Sequence, residues 1–252
     1  MSTTKGLDYQ QIGEGARSAY TTDVAARYRQ DDEVEVGTAN HLHVGSVLSG
    51  ITAAFGRPIS VLEIGCGTGR YFHCLRNVER LVGMDVSPDM LALARHPVRA
   101  ERVTAKQIEL VCANIYTTEL PPRSFDFIYS VGVLGGPSPF TLELCNKLHD
   151  LLTPHGILFC DAIDRRTRSL TMRAWGRVRG SLRRLAYPLL PLAAQQVLDE
   201  RKKGQGYFPM TPVELEAIMR RSRFAAFSLW TRVSETPLWT GKLIECTAWV
   251  DR

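Results

Sequence analysis

The 252-residue chain predicts an α/β fold: a doubly wound, seven-stranded sheet with five parallel strands and a C-terminal antiparallel hairpin, preceded by N-terminal helices and interrupted by a helical insertion. Three observations carry that expectation. Short apolar, β-rich runs alternate with stretches of helical character, which is the pattern of βαβ units. After residue 213 the alternation stops, and two strand-like runs follow one helix with only a turn between them, so they should pair antiparallel. An apolar content of 44% supplies a core of ordinary size, so residues 1–252 read as a single domain.

In chain order, residues 1–57 read as a helical cap, with helices expected from Ala16 to Tyr28 and from His41 to Phe55. Parallel strands are expected at 59–64 (ISVLEI), 80–84 (RLVGM), 108–111 (IELV), 125–131 (FDFIYSV) and 156–160 (GILFC). Ser87 and Pro88 supply an N-cap and a first-turn proline for the helix after the second strand, and Pro97 stops it. Between 138 and 152, Leu142, Cys145, Leu148, Leu151 and Leu152 share one helical face, and the TPHG turn follows. Residues 163–212 form an insertion expected to act as a basic helical lid. The helix VELEAIMRRSRF and the strands AAFSLWTRV and KLIECTAWV then complete the fold.

Charge is unevenly spread. The net value is +5, yet residues 165–203 hold eleven Lys and Arg against Asp199 and Glu200. Within that segment, 171–187 projects as a helix with Trp175, Val178, Leu182 and Leu185 opposite Arg173, Arg177 and Arg184. Three uses are open: a docked lid, peripheral contact with an anionic membrane, or a phosphate-binding face for nucleic acid, the least favoured partner. Six cysteines without a CxxC pair indicate neither a disulfide framework nor a metal site. The chain has no signal-peptide pattern and no apolar run long enough to span a bilayer, so a cytoplasmic protein, peripheral at a membrane at most, is expected.

The segment VLEIGCGTGR, 61–70, places Gly65, Gly67 and Gly69 after a strand, where backbone amides can approach a ligand closely and a following helix would add its N-terminus. The spacing departs from the dinucleotide fingerprint, and Glu63 would repel a pyrophosphate. A cation-bearing nucleoside suits this acid better. Asp85, 20 residues after Gly65, ends the second strand where a carboxylate can accept hydrogen bonds from both hydroxyls of a ribose.

With these motifs the chain resembles the class I S-adenosylmethionine-dependent methyltransferases, whose Rossmann-like fold carries an acid, any residue, then G-x-G-x-G. The resemblance implies S-adenosyl-L-methionine as cofactor, with Glu63 toward its methionine end and Gly65, Gly67 and Gly69 along its back. It further implies Asp85 on the ribose, Val86 and Met90 against adenine, and Asn114-Ile115 at the adenine amino group. Ser130 and Val131 would lie beside the cofactor's carboxylate and methyl group.

The acceptor is less constrained. No N-P-P-Y segment and no proline-cysteine nucleophile points to a nucleobase. A small organic molecule is expected, apolar or anionic, with oxygen as the favoured methylated atom. The alternatives are an RNA methyltransferase using 165–203 and a non-catalytic protein that binds the cofactor. His41 and His43 are the candidate general bases, because the N-terminal region often faces the acceptor in this family. Tyr20 and Tyr28, eight apart and near one helical face, are expected to contact the cofactor as part of its lid.

Overall fold

The computed structural model describes residues 7–167, 206–236 and 240–251. The helix expected at 171–187, with its membrane and phosphate readings, lies outside the described residues.

A seven-stranded sheet forms in the order β3-β2-β1-β4-β5-β7-β6. Its members are β1 (Ile59–Ile64), β2 (Val78–Asp85), β3 (Gln107–Cys112), β4 (Phe125–Ser130), β5 (Leu152–Ile163), β6 (Ala226–Glu235) and β7 (Thr240–Trp249). The first five pair in parallel, and β7 runs antiparallel to both β5 and β6, as the sequence predicts. The order reverses direction between β1 and β4, where open α/β sheets leave a crevice at the carboxyl ends of their strands.

The described helices are α1 (Tyr9–Ala19), α2 (Thr22–Glu35), α3 (Ala39–Ala54), α4 (Pro88–Ala94), α5 (Leu142–Leu151) and α6 (Pro212–Arg221). Val44 and Leu48 of α3 and Leu91 of α4 pack with Phe72, Phe127 and Tyr129 on one side of the sheet. Leu144 and Leu148 of α5 and Leu215 and Met219 of α6 pack with Ile128 and Ile244 on the other. Each such buried side chain contributes roughly 1.5–3 kcal/mol, so both faces hold the sheet.

Several local expectations change. The helix expected from Ala16 to Tyr28 is broken at Tyr20-Thr21: Tyr20 (φ −101°, ψ 65°) leaves helical space and Thr21 opens α2 in extended conformation. The break is held from outside, because the Ser87 hydroxyl donates to the Tyr20 carbonyl at 2.8 Å. After the glycine loop comes a set of turns and one 3-10 turn, Phe72–Cys74, in place of an α-helix. The TPHG segment is part of β5, where the pairing with β4 jumps from Phe125↔Leu152 to Phe127↔Ile157 and absorbs the extra residues as a bulge.

Candidate cofactor and acceptor cavity

A cavity of about 490 Å³ opens along the carboxyl ends of the strands, roofed by α1 and α2. Its floor at β1 is backbone. Gly65 and Cys66 both donate to the Met84 carbonyl, at 2.8 and 3.0 Å, which turns the chain sharply off the strand. Gly65 has φ +69°, and a Cβ there would lie 2.4 Å from Val133 Cγ2. Gly67 has φ +53° with nothing within 4 Å of where its Cβ would be, so a ligand can lie against bare backbone.

Asp85, at the end of β2, holds that loop. Its Oδ2 accepts the Gly67 N–H and its Oδ1 the Ser87 N–H, both at 2.9 Å. Each oxygen keeps a further lone-pair direction, so two ligand hydroxyls can still be received. Burial raises the Asp85 pKa, and the backbone donors oppose that shift. Ser87 is the N-cap of α4, accepting the Met90 N–H at 3.2 Å, which sets Val86 and Met90 into the cavity wall.

Glu63 is 3% exposed, and the Tyr129 hydroxyl donates to its Oε2 at 2.5 Å. Burial pushes its carboxyl up to about 8, with Asp85 and Asp32 adding to the shift and Tyr129 and Arg70 opposing it. Such a group stays protonated near neutrality until a cation arrives beside it. Asp32 of α2 accepts from the Thr68 hydroxyl and the Arg70 guanidinium, tying the roof to the glycine loop.

The other expected residues divide. Tyr20, Tyr28, Asn114, Ile115 and Val131 line the cavity. Tyr20 and Tyr28 meet across the helix break with ring centroids 5.6 Å apart and planes at 73°, not along one helical face. Asn114 Oδ1 accepts the Tyr116 N–H at 3.1 Å, and its Nδ2 donates to the Tyr9 carbonyl at 2.8 Å, so it closes the turn after β3 and anchors α1. Gly69 lies outside the lining, against Phe72 and Pro97. Ser130 is also outside it, fully buried, with its hydroxyl on the Ile64 carbonyl at 3.0 Å.

Neither histidine reaches the cavity. His41 is stacked between Tyr71 and His73, at 5.4 and 5.2 Å, and its Nδ1 accepts the Gly37 N–H at 3.5 Å. Burial, with nearby His73 and Arg70, drives its pKa down to about 4. His43 ends on β7, with Nε2 3.0 Å from both Glu245 carboxylate oxygens, and is not part of the cavity lining. Helix phase separates the two: His41 shares the buried face of α3 with Val44 and Leu48 and packs into the core beside Tyr71 and His73, whereas half-exposed His43 leaves that face and ends on Glu245. His41, His73 and Cys74 bring ligand atoms within 4.8 Å of one another. The two imidazole planes lie 15° apart in a stack, so their lone pairs do not converge on one ion, and the trio reads as packing.

Among the cavity residues that carry no expectation from sequence are Asp32, Arg70, Tyr71 and Asp161. Asp161 had a visible signal. It is an acid inside the apolar run ILFCDAI, as Glu63 is inside VLEIG. Asp32 sits in a run of charges, QDDEVE, that looks like a solvated helix face.

Residues 61–156 match the family model of the methyltransferase domain. Comparison with curated proteins finds no match. Solved structures with the same fold include magnesium protoporphyrin IX methyltransferase from Synechocystis PCC 6803 with bound S-adenosylhomocysteine, at TM-score 0.60 and 15% identity over 94% of this chain and 99% of that one. Another is 1,6-didemethyltoxoflavin-N1-methyltransferase from Burkholderia thailandensis, at TM-score 0.59 and 15% identity, covering 99% and 93%. A third, from Thermotoga maritima, is an S-adenosylmethionine-dependent methyltransferase described as a possible histamine N-methyltransferase, at TM-score 0.57 and 16% identity, covering 94% and 100%. The family model thus covers the glycine loop and the strands from β1 to the start of β5, and the chain shares its fold with these S-adenosylmethionine-dependent methyltransferases.

Proposed function

We propose that this protein is an enzyme that transfers a methyl group from S-adenosyl-L-methionine to a small organic acceptor. The observation that carries this reading is the placement of Glu63 and Asp85 near the ends of adjacent parallel strands, both lining the cavity beside a glycine loop that opens to it. The residues fit the cofactor. Asp85 has acceptor capacity for ribose hydroxyls, Gly67 leaves the loop face bare, and Glu63 is a buried acid that an ammonium group would ionise favourably. When bound, the cofactor supplies an electrophilic methyl group on sulfur.

The chain's own residues hold and orient. Asp85 and Glu63 fix the two ends of the donor, Met90 and Ile115 pack the base, and α1 and α2 exclude water from above. Much of the rate of such a transfer can come from positioning alone. With His41 and His43 turned away, neither histidine serves as base in this reading.

Calorimetric titration with S-adenosylmethionine and S-adenosylhomocysteine tests it, followed by turnover of labelled cofactor against a metabolite extract. Binding lost in Asp85→Ala and a methylated small product support the reading. Absence of binding in the native protein refutes it. Binding without turnover would instead mark a non-catalytic binder, and saturable, salt-sensitive RNA binding an RNA enzyme.

A further inference from the structure

Beyond Gly132 the cavity continues along the ends of β5, β7 and β6, past Asp161, Ile163, Leu243 and Ser234. If the donor occupies the β2-β1-β4 half, this second half receives the acceptor. Its charge is one-sided. Asp161 is 3% exposed and its Oδ1 accepts the Gly132 N–H at 2.6 Å, but it forms no ion pair among the described residues. Among the described residues, the carboxylate of Glu35 of α2, 4% exposed, receives the Thr38 hydroxyl at 3.4 Å and forms no ion pair.

The Arg232 guanidinium opposes the rise of the Asp161 pKa, but its hydrogen bonds go elsewhere. It pairs with Glu245 and donates to Asn40 Oδ1 at 2.7 Å, and it is not part of the lining. Glu245 stands directly opposite Asp161 across the β5-β7 ladder and adds negative charge to it. Around the whole cavity, Asp31, Asp32, Glu35, Glu63, Asp85 and Asp161 face one described cation, Arg70, and that one pairs with Asp32. Burial lifts the Asp161 carboxyl to about 6, so the site already resists one negative charge. An anionic acceptor would add a second at low dielectric.

We propose that the acceptor half is a subsite for a small amine, with Asp161 as its counter-charge and Ile163 and Leu243 packing its apolar body. This rests on the methyltransferase reading and replaces the apolar or anionic oxygen acceptor expected from sequence with a nitrogen acceptor. An amine supplies what Asp161 does not receive from the described residues: an ion-pair partner with N–H donors for the carboxylate oxygen not taken by Gly132.

The test uses the full chain saturated with S-adenosylhomocysteine and titrated by calorimetry with phenethylamine, phenethyl alcohol and phenylacetate, which share one skeleton and differ in charge. Phenethylamine should bind at least tenfold more tightly than phenylacetate. Asp161→Asn should reduce that preference to within twofold while S-adenosylhomocysteine affinity stays within threefold, and Asp161→Glu should retain part of it. Equal or tighter binding of phenylacetate, no binding of any of the three, or an undiminished preference in Asp161→Asn overturns the proposal. If Asp161→Asn does not fold, the charge ranking in the native protein still decides. Failure of S-adenosylhomocysteine itself to bind is a separate result, and it removes the methyltransferase reading with it.

Discussion

At the ends of β1 and β2 the cavity wall is largely backbone: Gly65 and Gly67, with Asp85 gripping the Gly67 and Ser87 amides at 2.9 Å. At the ends of β5, β7 and β6 the wall is side chains brought from four elements, Glu35 of α2, Asn40 of α3, Asp161 of β5 and Ser234 of β6. A backbone cradle depends on dihedral angles and so tolerates few sequences. A wall of side chains can be recomposed without disturbing the sheet. The donor half is therefore the rigid, shared part of the molecule, and the acceptor half is where this chain's individuality lies.

Substitutions in the two halves should separate accordingly. The largest effect is expected for Gly65→Val, which combines φ +69° with a Cβ 2.4 Å from Val133. A loss of about 3 kcal/mol or more in urea-denaturation stability should follow. Gly132→Ala, also at positive φ (+74°) but with nothing within 4 Å, should cost only about 1–2 kcal/mol. Equal losses would erase the distinction between a crowded loop and an open one.

Next comes Asp85→Ala. It removes an acceptor for the ligand and leaves two backbone donors unpaired, so cofactor affinity measured by calorimetry should fall by roughly 100-fold, about 2–3 kcal/mol. The same measurement on Asp161→Asn should change less than threefold. A large loss there would mean that the halves are not independent.

Glu63 gives a pH signature. Its folded pKa of about 8 lies above the 4.5 of a free glutamate, so between those values the folded state holds a proton that the unfolded state has released. Stability from this group therefore falls as pH rises through that window, and the full penalty applies above it. Glu63→Gln should show its largest Tm deficit against the native protein at acid pH, close that gap as pH rises, and match or exceed the native Tm near pH 9. Cofactor binding at neutral pH should release protons, read as a buffer-dependent calorimetric enthalpy, and the Gln variant should lose that dependence. His41 works in the opposite sense. Its pKa of about 4 means stability is lost as pH falls from 6.5 toward 4.

The smallest effect is expected for His43→Ala. This side chain is 45% exposed, so removing its pair with Glu245 should cost about 0–1 kcal/mol and leave cofactor affinity unchanged within twofold. A marked loss of affinity would return residue 43 to the site.

The five parallel strands, the terminal hairpin and the glycine loop were legible in the chain, because each follows from periodicity or from backbone angles set by near neighbours, and Glu63 and Asp85 stood out beside that loop; the lateral order of the strands did not. Asp161 left the same mark as Glu63, an acid in an apolar strand, and went unread because no glycine motif stood beside it. The helix expected after the loop did not form, and the one expected from Ala16 to Tyr28 broke where Ser87, 67 residues away, captures the Tyr20 carbonyl. What only the tertiary structure decided was direction: which way α3 turns His41 and His43, which acids of α2 look inward, and which cations are already paired. Those outcomes depend on helix phase and strand register across elements far apart in sequence. The donor could thus be read from one short stretch of chain, while the acceptor's charge had to wait for the walls to be assembled around it.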